Sequence, residues 1–274
     1  KNSGSSVSGG YIIKIDKPTG DGGLCGTCYD DSFSFRSKYN TQGNLSDLSE
    51  IYFLYEYPKA DKISDEQKEY IQTYINDFES SLLSDEFNDI DNGYLNYIDL
   101  DSFINFFIIN EITKNIDGYR LSTFLNKDLN GKLKMGPIWD FNLAFGNADY
   151  CNGWTTSGWG FKFNDICPGD IWQVPFWWNR LMESPKFKEE LQIRWNDLRS
   201  NLLSNQSVTD KVEEYSKYLN DRGAIYQNFS RWDILGRYIW PNKFIASTHE
   251  EEIDFMKDWI NNRLQWLDNA ILNL

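Results

Sequence analysis

The period of apolar positions changes along this chain. Tyr11 to Phe35 and Ile51 to Tyr57 hold the alternating, β-branched and aromatic residues of strands, joined by Gly- and Asp-rich loops. Past Pro58, where Tyr57 to Lys62 can act as a hinge, helical spacing takes over. Ser64-Asp65-Glu66-Gln67 places a glutamine three residues after a serine, the signature of a capping box, and predicts a helix to Leu83. Asp99 to Ile116 reads as the next helix. Later helices are expected over Pro175 to Glu183, Pro185 to Leu203, Ser207 to Ile225 and His249 to Leu272. In the last of these, Trp259, Arg263, Trp266 and Ile271 form a core-packing stripe. No internal repeat or low-complexity tract interrupts the pattern.

Between the second helix and the later ones the pattern returns briefly to strands. Tyr119 to Leu125 reads as an outgoing strand, Asn130-Gly131 as a tight turn and Lys132 to Trp139 as the return strand. A hairpin of this kind carries Asp117 and Asp140, at its two ends, to one edge. Asn126, Asp128, Asn130 and Gly131 also imitate the opening of a calcium loop, but Pro137 stands where that loop needs a bidentate glutamate, so the hairpin turn is preferred. Paired carboxylates at one edge suit metal-assisted phosphate chemistry. As the alternative from another class, they would also serve a glycosidase, for which abundant tryptophan offers stacking surfaces.

The segment from Asn115 to Gly146 resembles the CotH kinases, a divergent spore-coat-type branch of the protein kinase-like superfamily. There an aspartate after a helix is followed by a hairpin and a Trp-Asp-aromatic-Asp segment with a glycine beyond. Here those positions are Asp117, Trp139-Asp140-Phe141-Asn142 and Gly146. The resemblance covers the chain from about Gly9 to Trp232. It implies an α+β, atypical kinase-like fold with a strand-rich part at residues 1–60 and a mainly helical lobe at 61–274 carrying the hairpin 118–139. It also implies that strands contacting the nucleotide lie upstream, so the chain is expected to be a fragment. Asp117 would orient or deprotonate the acceptor, and Asp140 would bind magnesium. Asn142 replaces a second aspartate and Ser122 an asparagine, so both would remain oxygen ligands to Mg2+ or Mn2+ with one negative charge fewer. The implied cofactor is ATP and the implied partner a secreted or surface protein. A catalytically silent surface protein on the same frame is the other alternative.

Charge sharpens the picture. A net charge of -14 argues against nucleic-acid binding and disfavours free ATP, so a kinase needs a metal and a local basic patch. Lys14, Lys17, Lys114, Arg120, Lys132 and Lys134 are the candidates, with Lys14 and Arg120 foremost for the nucleotide. Lys14, after two isoleucines, superficially matches a kinase strand lysine; a solvated residue on an alternating strand is the plainer reading.

The four cysteines fall into two local sets, Cys25 with Cys28 and Cys151 with Cys167. Disulfides are preferred to zinc because a zinc ribbon would need a second close pair. No apolar run approaches the length of a membrane span, so any anchor, such as a lipid, would lie upstream. These features, with the resemblance, place the protein outside a bacterial cell or on its surface. The single histidine, His249, and the lack of a nucleophile elbow disfavour a serine-type triad. The loop from Asn147 to Ile171, just past Asp140, is long enough to be a substrate or activation segment.

Overall fold

The computed structural model describes residues 4–19, 27–47 and 50–274. Five antiparallel strands form one sheet in the order β2-β3-β1-β4-β5, with β1 at Tyr11–Ile15, β2 at Ser34–Arg36, β3 at Tyr52–Tyr57, β4 at Thr123–Lys127 and β5 at Leu133–Met135. Eight α-helices accompany it among the described residues: α1 Asp65–Leu83, α2 Leu100–Thr113, α3 Phe163–Ile166, α4 Trp177–Leu181, α5 Pro185–Ser200, α6 Asn205–Asp221, α7 Ala224–Arg231 and α8 His249–Leu272. The class is therefore α+β.

The chain divides into two compact units. One holds the residues up to Phe107, Asp117–Asp140 and Phe161–Lys188; the other holds Ile108–Ile116, Phe141–Gly160 and Glu189–Leu274. In the first, β1 is the middle strand. It pairs with β3 on one side and β4 on the other, in a register that sets Ile15 opposite Thr123 and Tyr11 opposite Lys127. The hairpin strands thus share a sheet with the amino-terminal strands. Alternation follows: Tyr11, Ile13 and Ile15 are buried while Ile12 and Lys14 are half-buried. On the buried face, the ring of Tyr11 stacks on Tyr70 of α1 and the ammonium of Lys127 lies 4.5 Å from the Tyr74 ring. The capping box is present, with Ser64 accepting from the Gln67 N–H and Gln67 returning the bond to the Ser64 N–H.

Aromatic residues fill the core of this unit. Trp177 of α4 stacks on Phe53 and meets Phe78 edge-on, and its neighbour Trp178 packs among Phe103, Phe106 and Tyr119. One carboxyl sits among these rings. Glu79 is fully buried, accepting from Ser37 Oγ at 2.7 Å and from Trp177 Nε1 at 2.9 Å. Burial pushes its carboxyl from 4.5 up to about 7, against those two donors. Its neutral form stabilises the fold fully below pH 4.5, and that contribution, on the order of 3 kcal/mol, is lost as pH rises through 7. Melting temperatures measured across this window should show the loss in the wild type and a flatter profile in Glu79→Gln.

The second unit is helical. Trp259, Ile260, Arg263, Leu264, Leu267 and Ile271 form the buried stripe of α8, in keeping with core packing. Trp266 is half-buried and meets Trp159 edge-on. The expected helix Ser207 to Ile225 is instead two helices. Gly223 adopts a left-handed φ of 67° between α6 and α7, which a glycine allows and a continuing helix does not. The hairpin strands are also shorter than the sequence suggests. They start at Thr123 rather than Tyr119 because the intervening residues form turns, and they end at Met135 rather than Trp139. The Asn130 turn is confirmed: Asn130 has φ 56°, and the Gly131 N–H donates to the Asp128 carbonyl at 3.0 Å.

Candidate active site

Residues 114–122 leave α2 by a route few sequences tolerate. Tyr119 and Ser122 both take left-handed φ angles, 71° and 49°, and in the other unit Lys114 has φ 44°. Non-glycine residues pay a steric penalty there of about 1–2 kcal/mol each, so packing must compensate. The Tyr119 ring does so. It is buried 4.8 Å from the Trp178 centroid, and its hydroxyl donates to the Phe107 carbonyl at 3.2 Å. With Tyr119 fixed inward, Asp117 and Arg120 are presented on either side of it, and the Leu121 N–H closes the turn onto the Asp117 carbonyl at 2.9 Å. Among the described residues, every non-glycine with positive φ falls between Lys114 and Asn152.

Asp117 keeps 18% of its side chain exposed and pairs with Arg120 Nη2 at 2.7 Å. Burial raises its carboxyl above the ordinary aspartate range. Arg120 and Lys17 oppose that rise, and the charges of Asp140 and Asp170 add to it. Asp140 is exposed, with φ 62°, and its Oδ2 lies 3.4 Å from Ser122 Oγ. The hairpin therefore brings Asp117, Ser122 and Asp140 into one electrostatic neighbourhood, as the hairpin reading suggests for the two aspartates. Asn142 belongs to the other unit; it is exposed and its carbonyl accepts from Asn147 Nδ2 at 2.9 Å.

The register of β1 against β4 adds a carboxylate that the spacing did not reveal. One residue past the Ile15–Thr123 pair, Asp16 accepts a hydrogen bond from the Ser122 N–H and another from the Lys17 N–H at 2.8 Å. Burial raises its carboxyl, against those bonds and the charges of Lys14 and Lys17. Asp16 thereby helps fix the left-handed turn that sets Ser122 beside Asp140.

The basic candidates have different surroundings. Lys14 lies 3.4 Å from Glu56 and 3.9 Å from Asp16, and Arg120 is buried between Asp117 and Asp170. Lys132 donates to the Leu95 carbonyl at 2.7 Å, and Lys134 pairs with Asp128 at 3.1 Å. Lys17 is exposed, its ammonium 4.8 Å from the Trp172 ring centre, and its charge reaches Asp117. On this geometry Lys17 is better placed than Lys14 to meet a phosphate near Asp117.

In the second unit a buried charge network holds the segment after Asp140. Glu111 of α2 pairs with Arg263 of α8 at 2.9 Å and also accepts from the Gly160 N–H at 2.8 Å. Arg263 donates further to the carbonyls of Glu111, Thr156 and Gly158. Lys114 donates to Thr155 Oγ1 and to the carbonyls of Thr155 and Ser157. Burial draws its ammonium down from 10.5 to about 8. Gly146 is required twice over: its φ is 79°, and a Cβ there would lie 2.4 Å from Trp259 Nε1. Cys28, Cys151 and Cys167 are all disulfide-bonded, which removes the zinc alternative for them; Cys25 lies outside the described residues.

Asp117 with its buried partner Arg120, and Asp140 with the Ser122 hydroxyl beside it, thus stand at the two ends of the hairpin. The CotH kinase protein family model matches residues 3–267. The chain belongs to the CotH kinase family. Membership carries a kinase-like fold and a kinase-like function. No curated protein matches the chain.

Proposed function

We propose that the protein transfers the γ-phosphoryl group of ATP to a hydroxyl of a protein acceptor outside the cell or on its surface. The observation that carries this reading is Asp117, held beside a buried arginine and coupled in charge to the exposed Asp140. Phosphoryl transfer asks for this division: one carboxylate to orient the attacking hydroxyl, another to hold a cation against the phosphates.

Among the described residues no three His, Cys, Asp or Glu side chains gather closely enough to enclose a metal. The donor set nonetheless suits magnesium or manganese. Mg2+ keeps several waters and takes one or two carboxylates plus substrate phosphates rather than a full protein cage. Asp140 is open to solvent with the Ser122 hydroxyl beside it, and Asp117 and Asp140 repel each other across the site, a repulsion that a bound cation relieves. Asp140 and Ser122 would hold the cation, which when bound neutralises charge developing on the phosphates. Asp117 receives the acceptor's hydroxyl hydrogen bond and holds the oxygen for attack. Arg120 and Lys17 favour its ionised form, while burial keeps its basicity above that of a solvated aspartate. Disulfides at Cys28, Cys151 and Cys167 support an oxidising compartment.

Asp117→Ala should retain metal-dependent nucleotide binding by calorimetry while phosphate transfer falls by roughly 100-fold or more. Unchanged transfer would remove Asp117 from the reaction. The silent-protein reading draws on Ser122 and Asn142, which leave Asp140 as the one charged member of the expected metal set. It requires that no nucleotide bind with either metal.

A further inference from the structure

Asp117 is held by more than its own turn. Arg120 is 2% exposed, and its guanidinium divides its donors. Nη2 reaches Asp117 Oδ1 at 2.7 Å, and Nη1 reaches Asp170 Oδ1 and the Trp172 carbonyl, both at 3.2 Å. The guanidinium carbon lies 4.0 Å from the Phe163 ring centre, so the plane is braced as well as bonded. Asp170 is itself fixed by its loop. Its Oδ1 accepts the Trp172 N–H at 2.9 Å, and Gln173 Nε2 donates to its backbone carbonyl at 2.6 Å. A planar fork shared by two carboxylates cannot serve one without reference to the other.

We infer that Asp170 and Arg120 are positioning residues for Asp117, so that the loop after α3 sets the orientation and charge of the acceptor-facing carboxylate. The loop places Asp170, Asp170 places one edge of the guanidinium, and the other edge aims Asp117. This role rests on the phosphoryl-transfer reading for its purpose, although the coupling itself does not. Four charged groups act on Asp117: Arg120 and Lys17 favour its ionised form, and Asp140 and Asp170 oppose it. Removing Asp170 therefore relieves a repulsion and leaves the guanidinium to Asp117 alone. Removing Arg120 does the reverse.

The test is a carboxyl-carbon NMR titration of Asp117 in the full chain, assigned by its disappearance in Asp117→Asn. In Asp170→Asn the Asp117 midpoint should move to lower pH, and in Arg120→Gln to higher pH. A merely structural role would change stability in both variants without moving the midpoint in opposite directions. An Asp117 midpoint unmoved in folded Asp170→Asn overturns the proposal, and that variant carries the test if Arg120→Gln fails to fold. With transfer measured, Asp170→Asn should lower kcat by about 10- to 100-fold with the nucleotide KM unchanged. Calorimetry of the wild type with ATP and metal separately decides the phosphoryl-transfer reading, because the titration needs neither.

Discussion

Asp140→Ala is expected to weaken metal-dependent ATP binding by about 100-fold or more, measured by calorimetry with Mg2+ and again with Mn2+. Loss of a partner that merely orients a metal ligand costs about 10- to 100-fold, and in the proposed function Asp140 is the ligand itself. Ser122 and Asn142 cannot substitute, since neither brings a negative charge. The fold should survive. Asp140 is exposed, so alanine leaves no buried gap, although alanine is less at ease than aspartate at φ 62°. Asp140→Asn separates the two effects: asparagine tolerates the left-handed backbone and keeps an oxygen but loses the charge. Its affinity should fall between wild type and alanine. Undiminished binding in both variants would place the metal elsewhere.

Arg263→Ala should have the largest effect on stability, about 3–5 kcal/mol by denaturant unfolding. Arg263 is fully buried and Glu111 1% exposed, so removing the arginine leaves a buried carboxylate without its guanidinium partner. It also takes a donor from the carbonyls of Glu111, Thr156 and Gly158. The melting temperature should drop by roughly 10 °C. Hydrogen exchange should rise first at residues 154–160, which lose their hold. Replacing Glu111 and Arg263 together should cost less than the two single changes added, because no lone charge is left behind.

Local signals read well in this chain, and distant partners did not. The Ser64 box, the Asn130 turn and the last helix are written in neighbouring residues, and each appears where its chemistry requires. Asp117 and Asp140 could be paired because a hairpin is the simplest closure between them. Asp170 could not be found that way. Its link to Asp117 passes through Arg120 and a loop with no regular period, and spacing carries no trace of it. Asp16 was closer to legible: once β1 and β4 are known to pair, its place opposite Ser122 follows from register. Tyr119 shows why the strand is shorter than its residue types suggest. Its aromatic ring favours a strand by propensity, but the pocket beside Trp178 takes the ring only if the backbone turns left-handed.

The left-handed non-glycine residues, which among the described residues all fall between 114 and 152, bear on how such a chain can drift over generations. Each costs the folded state something that a glycine would not, and Gly in place of Ser122 should make the backbone easier to form while removing the hydroxyl at Asp140. A protein kept only for its shape would have an open path toward those cheaper residues. In this chain Tyr119, Ser122 and Asp140 hold those angles with side chains that glycine lacks, so the thermal cost is tied to the pocket beside Trp178 and to the Ser122–Asp140 pair.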